Sequence, residues 1–437
     1  MGNLLKIMDA AQVGAQMYEL VVRLFPICRS ITGDGVRRTL AAVREIIPLE
    51  TREVPSGTPV FDWAVPKEWN IRDAYIKNAK GVRVVDFQAS NLHVINYSIP
   101  IHRRMRLEEL RPHLHSLPDH PEWIPYRTTY YNETWGFCLA HNVLTALTDE
   151  EYEICIDSSL TEGSLTYGEY YLPGQIQDEV ILYTHVCHPS LANDNLSGIA
   201  VVSYLSKYLA AQSRRYSYRF VFGPGTIGSI TWLSRNEQRL AAIKHGLVVA
   251  LVGDPGRMTY KKSRSGNAEI DRAVLLALRD SGRESAVLEF SPYGYDERQF
   301  CSPGINLSVG RLTRTPNGEY PEYHTSADNL DLVRPEALAE SLATCMSIVN
   351  ILENNQRYIN TSPKGEPQLG KRGLYRKTGG DKDVGQRELA MLWVLNLSDG
   401  EHGLLDIAER SGLKFDTIWT AARDLRDAGL LREAQQL

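Results

Sequence analysis

The 437-residue sequence predicts an α/β fold, a three-layer domain built on a largely parallel sheet, with a small β-rich insertion and a C-terminal winged-helix domain. Three observations predict it. Strand-like and helical patterns alternate through residues 126–355, as strand–helix–strand crossovers require. Residues 51–125 have another texture, rich in Pro, Trp and short β-like runs such as VPSGTPVFDW and LHVINYSI. Beyond a polar, Gly- and Pro-rich stretch at 356–381, three helical patterns follow, and the last two, joined across Ser411-Gly412, resemble a helix-turn-helix. The expected domains are 1–50 with 126–355, the insertion 51–125, a linker 356–381 and a winged-helix-like domain 382–437.

In order along the chain, Ala11, Val13, Met17, Leu20, Val21 and Leu24 recur at helical spacing, and a second helix is expected over Val36 to Ile46. YEICIDSSL and the apolar run Val180 to Tyr183 read as strands, the second buried on both faces. A helix over Ile199 to Leu209 precedes strands at Tyr218 to Phe222 and Gly246 to Val252, with the turn GPGTIGS and a helix through Trp232 between them. Ala268 to Arg279 and Pro335 to Glu353 read as helices, and Val287 to Phe290 and Ile305 to Val309 as short strands.

Composition narrows the function. Hydrophobic content of 43% and charged content of 23% suit a globular protein with a large core. A net charge of -5 argues against a general grip on nucleic acid. The helix expected to enter a DNA groove sets Asp416, Asp424 and Asp427 against Arg423 and Arg426, so a protein partner or a homo-oligomer suits it better. No apolar run reaches the ~20 residues of a membrane span. The first residues lack a signal peptide's pattern, and the six cysteines include no CxxC pair, so the expected location is the cytoplasm.

The chemistry gathers at ILYTHVCHPSLANDNLSGIA, residues 181–200. His185, Cys187 and His188 follow a buried strand, and Asp194 precedes a helix. Strand ends of this kind hold ligands in open α/β sheets, and imidazole with carboxylate suits zinc. Asp254, Asp296, Glu297 and His324 also fall where strands or their loops end.

Five strings carry a family resemblance: HVCHP at 185–189, NDNLSG at 193–198, PGTIGS at 224–229, Asp254, and YHTSAD at 323–328. Together they resemble the bacterial aminopeptidase-like family related to the two-zinc (M28) aminopeptidases. RSITGDGVRRTL, PSGTPVFDW, PKEWNI and YYNETWGFC extend the likeness across nearly the whole chain. The resemblance implies one zinc, or two, held by His185 or His188, Asp194, Asp254 and His324, with Asp328 orienting a ligand. It also implies hydrolysis of an amide or peptide bond in a small or short peptide-like substrate, with a role in polysaccharide or secondary-metabolite biosynthesis. Two departures stand out. Cys187 replaces the Asp expected two residues after the first His. Gly223-Pro224-Gly225-Thr226 stands where the two-zinc enzymes place two adjacent glutamates, one a base and one a ligand. The proton acceptor is then sought at Glu322, Glu297 or Asp296, and an oxyanion donor at Tyr295 or Tyr293. Arg298, Arg311 and Arg314 are candidates for a substrate carboxylate or phosphate. The alternative is a catalytically silent metal- or ligand-binding scaffold whose winged helix recruits a partner.

Overall fold

The computed structural model describes residues 9–374 and 382–434. Two compact units result, one of Asp9–Gly266 with Ala286–Leu342 and one that includes Asn267–Ser285 and the chain from Ala343 onward.

The first unit holds an eight-stranded sheet. Its strands along the chain are β1 (Glu50–Pro55), β2 (Ser164–Leu172), β3 (Glu179–His185), β4 (Ser217–Gly223), β5 (Ile243–Val249), β6 (Met258–Lys261), β7 (Ser285–Leu288) and β8 (Val309–Thr313). They lie in the order β1-β2-β4-β3-β5-β8-β6-β7. The central strands β4, β3, β5 and β8 run parallel, and β1, β2 and β6 pair antiparallel outside them. All seven positions of β3 and of β4 are buried, which requires cover on both faces. The chain leaves β3 for β4 on one side and returns to β5 on the other, so the carboxyl end of β3 is a topological switch point.

The helix Gly198–Ala210, apolar on nearly every side, packs on β3, β4 and β5. Ala10–Leu24 packs against it. The expected strand at 305–309 lies later, at Val309–Thr313, because Ser302 to Leu307 close in turns behind Pro303-Gly304.

The insertion is larger than the sequence suggests. Its antiparallel sheet runs Arg83–Asp86, Glu68–Lys77, Glu151–Thr161, Ile101–Arg106, so the expected boundary at 125 cuts through it. Glu151–Thr161 alternates buried Tyr152, Ile154 and Ile156 with more exposed neighbours, as a strand with one solvated face must.

In the second unit, Lys382–Leu397, Leu404–Ser411 and Phe415–Asp427 are helices beside the sheet Asp399–Gly403, Arg357–Asn360, Leu431–Glu433. Arg357–Asn360 was expected in the linker. It is a strand because Tyr358 and Asn360 are buried and Asn360 donates to the Leu395 carbonyl. The start of Phe415–Asp427 is covered within this unit. The Phe415 amide donates to Asp280 (2.7 Å), and the Asn350 amide group to Asp416 (2.9 Å).

Candidate metal centre

Two segments meet at the carboxyl end of β3. The strand ends on His185, and the next turn brings His188 back beside it. Arg29 fixes that turn. Its buried guanidinium donates to the carbonyls of His188 (2.7 Å), Pro189 (2.8 Å) and Leu24 (2.7 Å), and burial lowers its pKa to about 10.

The loop 193–197 is fastened by its own side chains to the chain after β5. Asn195 accepts from the Leu251 amide, Ser197 from Val252 and Asn193 from Gly253, at 2.9–3.1 Å. Three successive backbone donors are thereby satisfied without a strand. Asp328 takes the amides of Asn193 (2.6 Å) and Asp194 (3.0 Å) on its two carboxylate oxygens. It therefore holds the Asp194 backbone, and no hydrogen bond from it to an imidazole ring occurs among the described residues. With the backbone on both sides of it tied down, Asp194 is fully buried and aimed at the end of β3.

His324 arrives from a late loop. The Tyr126 amide donates to its carbonyl (2.7 Å), and Ile124 and Ser326 exchange two further hydrogen bonds. His324 is held at a left-handed φ of 56°, unfavourable for a residue other than glycine.

Asp194 is the hub. Its Oδ1 lies 2.7 Å from His185 Nε2 and 3.4 Å from His188 Nδ1, and its Oδ2 lies 3.0 Å from His324 Nε2. His185, His188 and Asp194 are mutually close enough to hold one ion. Burial lowers the His188 pKa to about 3, so its ring is neutral, with a lone pair available at neutral pH. Burial also opposes charge on Asp194, but the His188, His185 and His324 imidazoles hold its carboxyl well below the usual range.

This donor set fits zinc. Two ligand atoms about 2.0–2.1 Å from a shared tetrahedral zinc lie about 3.3 Å apart. The His188 separation of 3.4 Å matches that figure, while His185 and His324, at 2.7 and 3.0 Å, sit at hydrogen-bond distance from Asp194. His185, His188 and Asp194 can each offer one atom to a single ion, with His324 beside them, and imidazole with carboxylate is a donor set that suits zinc.

Tyrosines enclose the cluster. Tyr295 stacks on His185 (5.2 Å, 19°), Tyr323 stacks on His324 (3.9 Å, 16°), and the two hydroxyls hydrogen-bond to each other. Tyr126 stands edge-on to His188 and His324, 5.1 and 5.0 Å away, and its hydroxyl meets that of Tyr130 (2.9 Å). Tyr130 in turn lines a cavity of about 120 Å³ with Ile31, Trp63, Tyr131 and the turn Gly225-Thr226-Ile227. Trp63 and Tyr131 are each about half exposed there, with ring centroids 5.4 Å apart.

Several expected site residues lie elsewhere. Asp254 is not in the cluster. Its oxygens accept from Asn193 (3.1 Å), the Gly256 amide (2.8 Å) and both the amide (3.3 Å) and the hydroxyl (2.6 Å) of Thr315, and Leu251, at φ 53°, has already turned the chain. Asp254 supports the loop that carries Asp194. Glu297 is fully buried in an ion pair with Lys261 (2.9 Å), with Arg311 3.7 Å away, and cannot serve as a base exchanging protons with solvent. Arg311 and Arg314 are buried, the latter beside Glu340 (3.5 Å), and neither is open to a substrate. Glu322 is half-buried, and no hydrogen bond links its carboxylate to Asp194 among the described residues. Tyr293 is exposed, and its carbonyl accepts from Lys261. Burial pushes the Cys187 thiol far above its ordinary range, so it is no nucleophile. Of the two insertion tryptophans, Trp63 lines the cavity, whereas Trp69 is buried with its indole donating to the Ser98 carbonyl.

The fold is that of the M28-type aminopeptidases, an α/β architecture to which the chain adds a C-terminal winged helix. A zinc aminopeptidase from Bacillus subtilis superposes on 78% of the chain and 94% of its own, at 12% identity and a TM-score of 0.57. A peptidase M28 precursor from Shewanella amazonensis covers 80% and 96%, at 13% identity and a TM-score of 0.54. Residues 18–355 match the family described as a domain of unknown function, DUF4910, and 356–433 match a winged helix-turn-helix. The chain belongs to the DUF4910 family. A Clostridium acetobutylicum protein named "Putative polysaccharide biosynthesis protein with aminopeptidase-like domain" is 53% identical over 426 residues, 98% of each chain. A crystal structure from that organism, described as a "putative peptidase", is 52% identical over 99% of both chains, with a TM-score of 0.94.

Proposed function

We propose that the chain is a zinc-dependent hydrolase of the M28 type that cleaves an amide bond in a small substrate. The convergence of His185, His188 and His324 on Asp194 carries this reading. A zinc ion held there by these residues would polarise the substrate carbonyl and lower the pKa of water towards about 7. The chain's own groups do the rest. Tyr295 and Tyr323 share one hydrogen bond between their hydroxyls, which leaves one O–H to donate to oxygen developing negative charge. Glu297 is tied to Lys261, so Glu322, two residues before His324, is the proton acceptor in this reading. The cavity between Trp63, Tyr131 and Ile230 has room for one ring or branched side chain, which favours a short acyl or aminoacyl conjugate over a folded protein. The names of the Clostridium relatives, a peptidase and a polysaccharide biosynthesis protein, agree with an amide-cleaving step on a carbohydrate-linked substrate. Six free cysteines, and no described helix long and apolar enough to cross a membrane, fit a cytoplasmic location.

The test is zinc content together with turnover on a panel of aminoacyl and N-acyl amides. His324→Ala should lose both zinc and hydrolysis. Glu322→Gln should keep zinc and lose about 10²–10⁴ in kcat. The turn Gly223 to Thr226, which bears no carboxylate, favours one competing reading, a silent metal-binding scaffold. Stoichiometric zinc with no turnover on any substrate decides for the scaffold.

A further inference from the structure

The hydroxyls of Tyr126 and Tyr130 lie 2.9 Å apart, and only one of their two hydrogens can lie between them. Neither oxygen has another hydrogen-bond partner among the described residues. Cys187, whose thiol lies near both, contacts the His188 ring instead, at 3.9 and 4.0 Å. One O–H is left over, and burial decides which. Tyr126 is buried, edge-on to His188 and His324, so a hydrogen turned away from Tyr130 would meet no acceptor there. Tyr130 is half-buried and lines a cavity of about 120 Å³. Tyr126 is accordingly the donor, and the Tyr130 hydrogen is the one turned towards the cavity. Ile31, Trp63, Ile227 and Ile230 make much of the remaining wall, and no charged side chain lines it among the described residues. The cavity adjoins the metal centre through Gly225, where a Cβ would lie 3.3 Å from His185 Cβ. An apolar occupant would displace water from the Tyr130 O–H and leave it unpaired, whereas an occupant with an oxygen acceptor would not. An anionic occupant would find no counter-charge.

We propose that Tyr130 is a specificity-determining residue: its O–H, fixed in direction by Tyr126, selects a substrate group bearing an uncharged oxygen acceptor over an apolar isostere. The assignment rests on the hydrolase reading and narrows its substrate. The apolar wall admits a carbon skeleton of one ring or branched side chain, and the single pinned donor asks that skeleton for an ether, hydroxyl or amide oxygen. Thr226 and Tyr131 also line the cavity, but no hydrogen bond pins either hydroxyl among the described residues.

The full-length protein with zinc added tests this with two amides of equal shape, norleucinamide and O-methylhomoserinamide. The second replaces one methylene by an ether oxygen, which accepts a hydrogen bond and cannot donate one. Binding is measured by calorimetry, and kcat/KM wherever turnover occurs. The wild type should favour the ether by about 3–10-fold. Tyr130→Phe should abolish that preference without changing zinc content, and Thr226→Val should keep it. Should Tyr130→Phe not fold, adding Tyr126→Phe removes the stranded buried hydrogen, and the double variant should show the same loss. Equal binding of the two amides by the wild type, binding of neither, or a preference unchanged in folded Tyr130→Phe overturns the proposal. So does a preference lost in Thr226→Val alone. A preference in binding with no turnover of either amide sinks the hydrolase reading and leaves the role of Tyr130 standing; turnover without preference does the reverse.

Discussion

Arg29 donates through Nε to the carbonyl oxygen of His188, 2.7 Å away, and through Nη2 to that of Pro189. A buried cation is thereby spent mainly on backbone, since its remaining hydrogen bonds are to the Leu24 carbonyl and, at 3.4 Å, the Thr39 hydroxyl. Its removal strands three buried carbonyls, each costing about 1–3 kcal/mol. Arg29→Met should therefore lower stability by at least about 3 kcal/mol and weaken zinc uptake, because the His188 turn is released. Arg29→Lys should recover little, since one ammonium cannot span three diverging carbonyls. Urea unfolding of both variants, with zinc content, checks this; full rescue by lysine would show that charge alone is needed.

The winged helix should not read DNA. A recognition helix contacts bases with its N-terminal residues. In this chain those residues are engaged by Asp280 and Asn350, and Arg279 donates to the Leu413 carbonyl just before them (2.7 Å). Arg272 pairs with Asp406 and Glu409 on the preceding helix, at 2.5 Å each. Fluorescence anisotropy with duplex DNA at 50 and 200 mM salt should show no sequence-dependent binding, whereas binding that falls steeply with salt would contradict the covered helix.

What the sequence revealed and what it hid follow from how local each signal is. His185, His188 and Asp194 stood out because a buried strand followed by polar residues marks its own carboxyl end, whereas His324 was reached through the family resemblance. Asp254 was misplaced by the same rule, since the chain turns at Leu251 and spends that carboxylate on Asn193, Gly256 and Thr315. Membership of a sheet is not local. YEICIDSSL was readable as a strand, and its alternating burial could have assigned it to the one-sided insertion sheet instead of the two-sided central one. The tyrosine bracket joins Tyr295 to Tyr323 and to histidines from distant strands and loops, and no spacing in the sequence announces it.

Acid should weaken the pair that Glu68 makes with Arg37. The two side chains form a bidentate pair, 2.7 Å at both contacts, and Arg37 also holds Glu53 (2.8 Å). Hydrogen bonding by Arg37 lowers the Glu68 pKa to about 2, against the opposing effect of burial. A depressed carboxylate contributes stability above its unfolded pKa and loses it as pH falls through the folded one, here from about 4.5 to about 2. Solvent reaches Arg37, so the contribution is about 1 kcal/mol. Glu68→Gln should be about that much less stable at pH 7 and show a shallower decline below pH 4.5. Parallel stability–pH curves for variant and wild type would refute the assignment.

Gly198 tests whether the Asp194 loop tolerates any widening. A Cβ at this position would lie 2.4 Å from Asn195 Oδ1, 2.7 Å from Thr184 Oγ1 and 2.7 Å from the carbonyl oxygen of Val249. Asn195 cannot swing away freely, because it also donates to Thr184 and to the His185 carbonyl and accepts from Leu251. The Val249 carbonyl belongs to β5 and cannot retreat at all without bending the sheet. Overpacking typically costs about 1–3 kcal/mol, and rigid backbone on one side puts Gly198→Ala at or above the top of that range. Any relief must come from the start of the helix Gly198–Ala210, which would carry Asp194 away from His185. Zinc affinity and melting temperature should therefore fall together in Gly198→Ala. Gly282→Ala, where open space surrounds a positive φ, should cost about 1 kcal/mol and leave zinc binding intact.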